Sequence, residues 1–292
     1  MLIGSKDFTW GARTYIMGIL NLTPDSFSGD GIYRDLNRAI AQAQRLVADG
    51  ADIIDVGGES TRPGSKPISV EEEMRRVLPV IERLAREVNA PISIDTYKAA
   101  VAEAALDAGA HLVNDVWGLR MDPAMAPLVA RRGVPVVIMH NRSQPKDAVQ
   151  SKRLGGRYLG VRYDDLLTDV RRELEESLAL AEAAGIQREQ IIIDPGIGFG
   201  KTVEQNLELL NRVGELKALD CPILVGPSRK SFIGYTLDVP PDERVEGTAA
   251  AVTVAILRGA DMIRVHDVRQ MVRVARMTDA IIRGTNQNLC MH

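Results

Sequence analysis

The chain is poor in cysteine, histidine and aromatic residues: its 292 residues include two cysteines and four histidines, and only 4% are Phe, Trp or Tyr. Cys221 and Cys290 are too few and too far apart for a zinc site or a disulfide framework, which suits a reducing cytoplasm. Charge of one sign is also lacking. A net charge of -3 exerts no general pull on nucleic acid or an anionic membrane, so any functional positive charge must be concentrated locally. No apolar run is long enough to span a bilayer. Met1 to Trp10 carries Lys6 and Asp7 and has no apolar stretch, so it does not read as a secretory signal. With no Gly/Ser/Pro-rich linker, residues 1–292 read as one domain, with a lead-in over 1–13 and a tail over 284–292 that is expected to fray. Ordinary apolar and charged fractions, 45% and 26%, place the chain among soluble globular proteins.

What is present is a regular alternation. Short β-branched runs centre on Ile16, Ile54, Ile92, Val113, Val137, Ile192, Leu224 and Ile263. Helical patterns lie between them at 36–49, 71–88, 98–108, 123–131, 164–184, 203–219 and 245–258, with a last one at 268–283. Gly50-Ala51-Asp52-Ile53-Ile54 recurs as Gly109-Ala110-His111-Leu112-Val113 and as Gly259-Ala260-Asp261-Met262-Ile263, each a helix-ending glycine followed by a strand. About eight such βα units in a chain of this length predict an α/β protein, a closed (β/α)₈ TIM barrel. A doubly wound open sheet is the alternative.

One stretch organises the reading. The run Ile191-Ile192-Ile193 stops at Asp194, followed by Pro195-Gly196-Ile197-Gly198-Phe199-Gly200-Lys201-Thr202. Parallel strands buried on both faces look like this, so Asp194 should stand at a strand's C-terminal end, where α/β folds keep their chemistry. Two nucleotide motifs come close in wording and fail. The phosphate-cradling loop needs glycine where Pro195 stands, and the dinucleotide fingerprint needs glycine where Lys201 stands.

In a barrel the residues just past each strand share one rim, and here they are strongly polar. They include Asn21 and a loop through Asp30, Asp55 with the Gly57 to Gly64 loop, Asp95, Asn114-Asp115, Met139-His140, Asp194, Gly226 to Ser231, and Arg264 to Asp267. Ionised carboxylates only accept hydrogen bonds, so Asp95 and Asp194 with the Asn114 amide suit a flat ligand edge rich in N–H donors, such as an amino-substituted heterocycle. Lys230, Arg264 and His266 gather positive charge near strands seven and eight, where barrels often hold phosphate. Asn21 and the loop with Thr61 and Arg62 could complete an oxygen-rich site for Mg²⁺ bound through phosphates. One ligand with both features is a heterocycle joined to a phosphate or diphosphate.

On these residues the chain resembles the dihydropteroate synthase family. The segments that carry the likeness are 17–28, Gly57-Gly58-Glu59-Ser60-Thr61-Arg62-Pro63-Gly64, Ile94-Asp95-Thr96, Asn114-Asp115, 194–202, 228–234 and Arg264-Val265-His266-Asp267-Val268. The resemblance implies a barrel that joins dihydropterin-6-ylmethyl diphosphate to 4-aminobenzoate, releasing dihydropteroate for folate biosynthesis and diphosphate. It also implies Mg²⁺, inhibition by sulfonamides, a cytoplasmic location and a homodimer. By the same resemblance Asp95, Asn114 and Asp194 hold the pterin, Lys230 bonds its ring and Arg264 lies against its face. Asn21 ligates Mg²⁺; Thr61, Arg264 and His266 hold the diphosphate; Phe27, Arg62, Pro63, Phe199 and Ser231 frame the aminobenzoate pocket. Asp194, Lys230, Arg264 and His266 are the residues expected to carry the catalysis. Two departures stand out. Ser28-Gly29-Asp30-Gly31 displaces the first loop's acidic residue by one, and Met139-His140-Asn141-Arg142 lacks the family's second methionine and precedes an extended basic segment reaching Arg162.

Each residue also has a structural reading. Asp95 and Asp194 could cap helices, Lys230 could be solvated, and Arg264 could pair with Asp261 or Asp267. His111 and His292 read as structural or terminal, His140 is undecided, and the 146–162 stretch reads as a solvated loop. Rival functions are a pterin-dependent methyltransferase, a Schiff-base aldolase using Lys230, and a non-catalytic pterin-binding protein.

Overall fold

The computed structural model describes residues 1–23, 36–61, 64–159 and 161–284. Two short strands come first, β1 (Leu2–Ile3) and β2 (Lys6–Asp7). The barrel strands then alternate with helices: β3 (Tyr15–Asn21), α1 (Leu36–Ala48), β4 (Ile53–Gly57), α2 (Val70–Glu87), β5 (Ile92–Asp95), α3 (Ala99–Asp107), β6 (Leu112–Asp115), α4 (Met125–Arg132) and β7 (Val136–Met139). A hairpin of β8 (Ala148–Ser151) and β9 (Gly155–Tyr158) follows. The chain continues through α5 (Leu166–Ala184), β10 (Ile191–Asp194), α6 (Val203–Arg212), β11 (Leu224–Val225), α7 (Ser231–Leu237), α8 (Val245–Leu257), β12 (Met262–Val265) and α9 (Val268–Arg283).

Eight strands form one parallel sheet in the order β10-β7-β6-β5-β4-β3-β12-β11. A parallel bridge between Ile193 and Ile223 joins its two ends, so the sheet closes and the open doubly wound alternative falls. All eight expected strand centres lie in these strands.

Alternation along each strand sorts the side chains into two sets. Ile16, Ile54, Val113, Val136, Ile138, Ile193 and Ile263 face outward and pack on the helices. Tyr15, Met17, Ile53, Leu112, Val137, Ile192, Leu224 and Met262 face inward and fill the barrel's lower half. The lead-in seals that end: Ile3 and Phe8 join the inner cluster, and Phe8 lies 4.7 Å from the Tyr15 ring. Two residues further up each strand the same inward parity reaches Asp55, Asn114, Met139, Asp194 and Arg264. The apolar plug is thus the floor of the polar site, and the strands' period of two dictates which residues stand on it.

Three local expectations need correcting. The helix expected over 203–219 ends at Arg212 and continues as a 3₁₀ turn, Val213–Leu219. The 146–162 stretch is not a solvated loop: its described part holds the β8–β9 antiparallel hairpin, paired from Ala148↔Tyr158 to Ser151↔Gly155. A helix, α7, stands after β11, where no helical pattern was expected.

Candidate active site

The barrel mouth brings Asp55, Asp95, Asn114, Asp194, Lys230 and Arg264 together. Arg264 donates from Nε to Asp55 Oδ2 and from Nη2 to Asp95 Oδ2, each at 2.6 Å, bracing β12 against β4 and β5 across the lumen. Neither Asp261 nor Asp267 is its partner. Asp267 instead accepts from Arg229 at 2.8 and 2.5 Å, and this holds Arg229 in a left-handed conformation beside Lys230. Neighbouring carboxylates keep Arg264 cationic against burial, which pulls the other way.

Asn114 donates from Nδ2 to Asp55 Oδ2 at 3.0 Å. Because an ionised carboxylate only accepts, this contact turns the amide so that Oδ1 is left as an acceptor. Asp55 was seen in sequence only as part of the rim, yet it orients both Asn114 and Arg264. The Oδ1 atoms of Asp55 and Asp95 are buried with no hydrogen-bond partner, and such acceptors call for a ligand's N–H groups. Burial pushes the Asp95 carboxyl up, while Arg264 beside it opposes the shift.

Asp194 is 6% exposed and accepts from the Gly196 N–H at 2.7 Å. It caps no helix: Thr202 caps α6 through the Gln205 N–H, and Asp122, rather than Asp95, accepts from Ala99 at the start of α3. Burial raises the Asp194 carboxyl, and Lys230 is the chief opposing charge. Lys230 donates to the Ile197 carbonyl and lies 4.5 Å from the Phe199 ring centroid. Burial pulls its ammonium down to about 8, with Asp194 holding it up.

The loop after Asp194 is pinned from below. Gly196 has φ +71°, and a Cβ there would stand 1.8 Å from the His140 carbonyl oxygen, so only glycine fits. Lys201, 2% exposed, donates to the Gly196 and Phe199 carbonyls, both at 3.0 Å, and to His140 Nδ1 at 2.9 Å. His140 in turn meets Glu173 at 3.0 Å through Nε2. Burial and the Lys201 charge push His140 down to about 3, which fixes it as a neutral ring. His140 is therefore a buried support beneath the site. The supporting role of Lys201 was missed in sequence, where it counted as a mismatch to a nucleotide motif and as one member of the 194–202 segment.

His266 Nδ1 lies 3.0 Å from Ser228 Oγ, and that oxygen accepts the His266 backbone N–H at 3.1 Å. When the Ser228 hydroxyl donates to Nδ1, the ring proton sits on Nε2. Thr61 ends the described part of the second rim loop. That loop is anchored by Glu59, which accepts from Tyr97 at 2.9 Å, Lys98 at 2.7 Å and the Ile68 N–H at 3.0 Å. Ser231 opens α7. Phe27, Arg62, Pro63 and the displaced Asp30 lie outside the described residues, as do Cys290 and His292. On the opposite rim, His111 accepts the Ile92 N–H at 3.2 Å, a structural role.

Among the described residues no three His, Cys, Asp or Glu side chains gather as a metal nest. Asn21 is the oxygen donor in question. A Cβ at Gly57 would lie 3.6 Å from Asn21 Oδ1 and 3.5 Å from Asp95 Oδ2, so both oxygens flank one lumenal gap. Oxygen donors and few protein ligands fit Mg²⁺ arriving with a phosphate-bearing ligand.

The family described as pterin binding enzyme matches residues 17–266. A dihydropteroate synthase of Clostridium beijerinckii is 49% identical over 284 residues, 97% of this chain and 100% of its own length. The Yersinia pestis dihydropteroate synthase, solved with a sulfonamide drug, superposes with a TM-score of 0.89 at 40% identity, covering 98% of this chain and 99% of its own. The Xanthomonas albilineans dihydropteroate synthase, solved with 4-aminobenzoic acid, gives 0.84 at 43%, covering 94% and 95%.

Proposed function

The chain belongs to the pterin-binding enzyme family, and from that premise we propose that it condenses dihydropterin-6-ylmethyl diphosphate with 4-aminobenzoate, releasing dihydropteroate and diphosphate in folate biosynthesis. The observation that carries the reading is the set of buried acceptors at the mouth. Asp95 Oδ1 has no partner, Asn114 is turned to present Oδ1, and Asp194 is a buried carboxylate within the electrostatic reach of the Lys230 ammonium. A flat pterin edge with several N–H donors meets these needs.

In this reading the pterin lies on Asp95, Asn114 and Asp194, with Lys230 bonding its ring. Arg264 uses two of its five N–H donors on Asp55 and Asp95, which leaves three for the pterin's diphosphate arm. His266, turned by Ser228, offers Nε2–H to the same arm, and Thr61 borders it. Asn21 would hold Mg²⁺ arriving with the diphosphate, and the ion would supply charge neutralisation when bound. Aromatic amines are weak nucleophiles, whereas a dihydropterin can share positive charge developing on its methylene. The C–O bond to diphosphate therefore breaks largely before nitrogen attacks. Arg264 and His266 stabilise the departing anion and the Asp194 carboxylate the cationic pterin, and neither role needs a covalent intermediate. Phe27, Arg62, Pro63, Phe199 and Ser231 would frame the amine, where sulfonamides compete.

Two further parts belong to the proposal. Leu257 on α8 and Met277 and Ile281 on α9 are 54%, 64% and 68% exposed. This apolar face suits a second copy of the chain, and sedimentation at micromolar concentration checks the expected homodimer. No described helix is long and apolar enough to cross a membrane. The widely spaced cysteines support a cytoplasmic setting.

The assay is direct. Purified protein given both substrates and Mg²⁺ should release diphosphate and form dihydropteroate. No diphosphate under those conditions would overturn the reading. A methyltransferase would have no use for Arg264 and His266 as a diphosphate site, and borohydride in the presence of a carbonyl substrate should leave Lys230 unmodified.

A further inference from the structure

The β8–β9 hairpin has no part in the chemistry so far, yet it is firmly built into the rim. It leaves the barrel after β7 and reaches the elements that follow β11 and β10. Arg244, 2% exposed, donates from Nη2 to the Leu154 carbonyl at 2.9 Å. The Tyr235 hydroxyl donates to the Gly155 carbonyl at 3.2 Å, and Gln205 on α6 donates to the Val161 carbonyl at 3.1 Å. On its other edge Gln150 abuts Gly64, in the second rim loop. The hairpin therefore spans from the α6–α7 side of the mouth to the loop after β4.

Arg157 on β9 is the residue this arrangement singles out. Its guanidinium carbon lies 4.3 Å from the Tyr235 ring centroid, a stacked cation–π contact. Its Nε–H is buried and meets no acceptor among the described residues, although a guanidinium is always charged. Its charge also acts weakly on Glu204, at the start of α6. Ser231 and Tyr235 are four residues apart on α7, hence on one helix face. Arg157 is thus stacked one turn along the face that begins with Ser231. Phe199, which precedes α6, stacks under the ammonium of Lys230, the residue before Ser231.

We propose that Arg157 is a further substrate-recognising residue, its guanidinium receiving the carboxylate of the aromatic amine. The inference rests on the synthase reading and adds to it. The amine nitrogen must enter the lumen to reach the pterin methylene, so the para carboxylate points outward between Phe199 and Ser231, towards the hairpin. An unpaired, stacked guanidinium at that exit favours an anion over a neutral group of the same shape.

The test compares 4-aminobenzoate with neutral 4-aminobenzamide in the diphosphate-release assay, at saturating pterin diphosphate. Arg157→Gln should raise KM for 4-aminobenzoate about tenfold while shifting KM for 4-aminobenzamide less than about twofold. Arg157→Lys, which retains the charge without the planar fork, should fall between native and Arg157→Gln for the anionic amine alone. An equal change with both amines would make Arg157 structural and overturn the proposal, as would no change with either. Because 4-aminobenzamide turnover is followed in the same variant, misfolding shows as loss of both reactions. If the native protein releases no diphosphate with either amine, the synthase reading fails and this inference falls with it.

Discussion

Nζ of Lys201 lies 2.9 Å from Nδ1 of His140, in surroundings that leave the two side chains 2% and 1% exposed. With the Gly196 and Phe199 carbonyls, the imidazole gives Lys201 three acceptors, which match the three protons of an ammonium. Burial pushes this lysine well down, and the Asp194 charge opposes the shift. The three satisfied bonds argue for the protonated form at neutral pH. The ammonium ties together the loop that carries Phe199 and the Ile197 carbonyl to which Lys230 donates.

Lys201→Met should therefore cost stability and rate together. Three buried acceptors lose their donor, for a destabilisation of about 3 kcal/mol or more in urea unfolding. At a temperature where the variant stays folded, kcat should fall at least about tenfold with KM for the pterin diphosphate less affected. A stability loss with kcat unchanged would show that the loop does not need this tie.

His140 should shape the acid limb of stability. Its folded pKa is about 3, below the unfolded value near 6.5, so between these values the unfolded chain binds a proton that the folded chain refuses. Stability from this group is present above 6.5 and is lost as pH falls through that window, by up to about 1.4 kcal/mol per pH unit. Glu173, held at about 2 by His140 and Arg142 against burial, adds a loss of the same sign below its ordinary range. In unfolding curves at pH 6.5, 5.5 and 4.5, tested at those round values near the unfolded pKa, His140→Gln should flatten the slope. Parallel curves for native and variant would place the acid sensitivity elsewhere.

Lys230 predicts the alkaline limb of activity. Its ammonium titrates at about 8, so pterin diphosphate binding should weaken as pH rises through that value and the cation is lost. Lys230→Arg keeps the charge to far higher pH and should remove that limb, whatever it does to the maximal rate. A limb that survives the substitution unchanged belongs to another group.

Arg264 and His266 should act on the phosphate arm. Ser228→Ala removes the group that orients His266, and His266→Ala removes the donor itself. Both should weaken binding of the pterin diphosphate by about tenfold or more while leaving a pterin without phosphates nearly unaffected, because a charge-assisted contact matters only when its anion is present. Calorimetry with the two ligands separates the cases, and equal losses would put the diphosphate elsewhere.

Asp194 tests the order of bond making. Asp194→Asn keeps the shape, removes the negative charge and turns a donor towards the pterin's donors, so a loss on the order of 10²-fold is expected. Diphosphate release should also be measured with the amine omitted. Slow cleavage by the native protein, much slower in Asp194→Asn, is the expected result. Cleavage that depends strictly on the amine and follows its basicity would exclude prior departure of the diphosphate.

Much of this was legible in the chain because it is local. Strand runs such as Ile191–Asp194 and glycine-ended helices such as α5, closed by Gly185 with φ +96°, are set by short-range sterics and hydrophobic period. Eight repeats of that unit sufficed to anticipate the barrel, and strand ends sufficed to nominate Asp95, Asn114, Asp194 and Arg264. The 146–162 hairpin was misjudged because its partners, Tyr235 and Arg244, lie about 80 to 90 residues away. The helical period over 203–219 said nothing of the tightening at Val213, since 3₁₀ and α turns share most of their pattern.

Which acids and bases stand at the rim follows from residue order, because a strand shows alternate side chains to the lumen whatever surrounds it. What each of them does there depends on contacts that only closure of the barrel creates. Arg264 is braced by Asp55 and Asp95 from 209 and 169 positions away, and Lys201 lies beneath the site against His140 from 61 positions away. Burial then decides protonation: it pulls Lys230 down to about 8 and His140 to about 3, because a charge taken out of water must find its partners among whatever the fold has brought within reach.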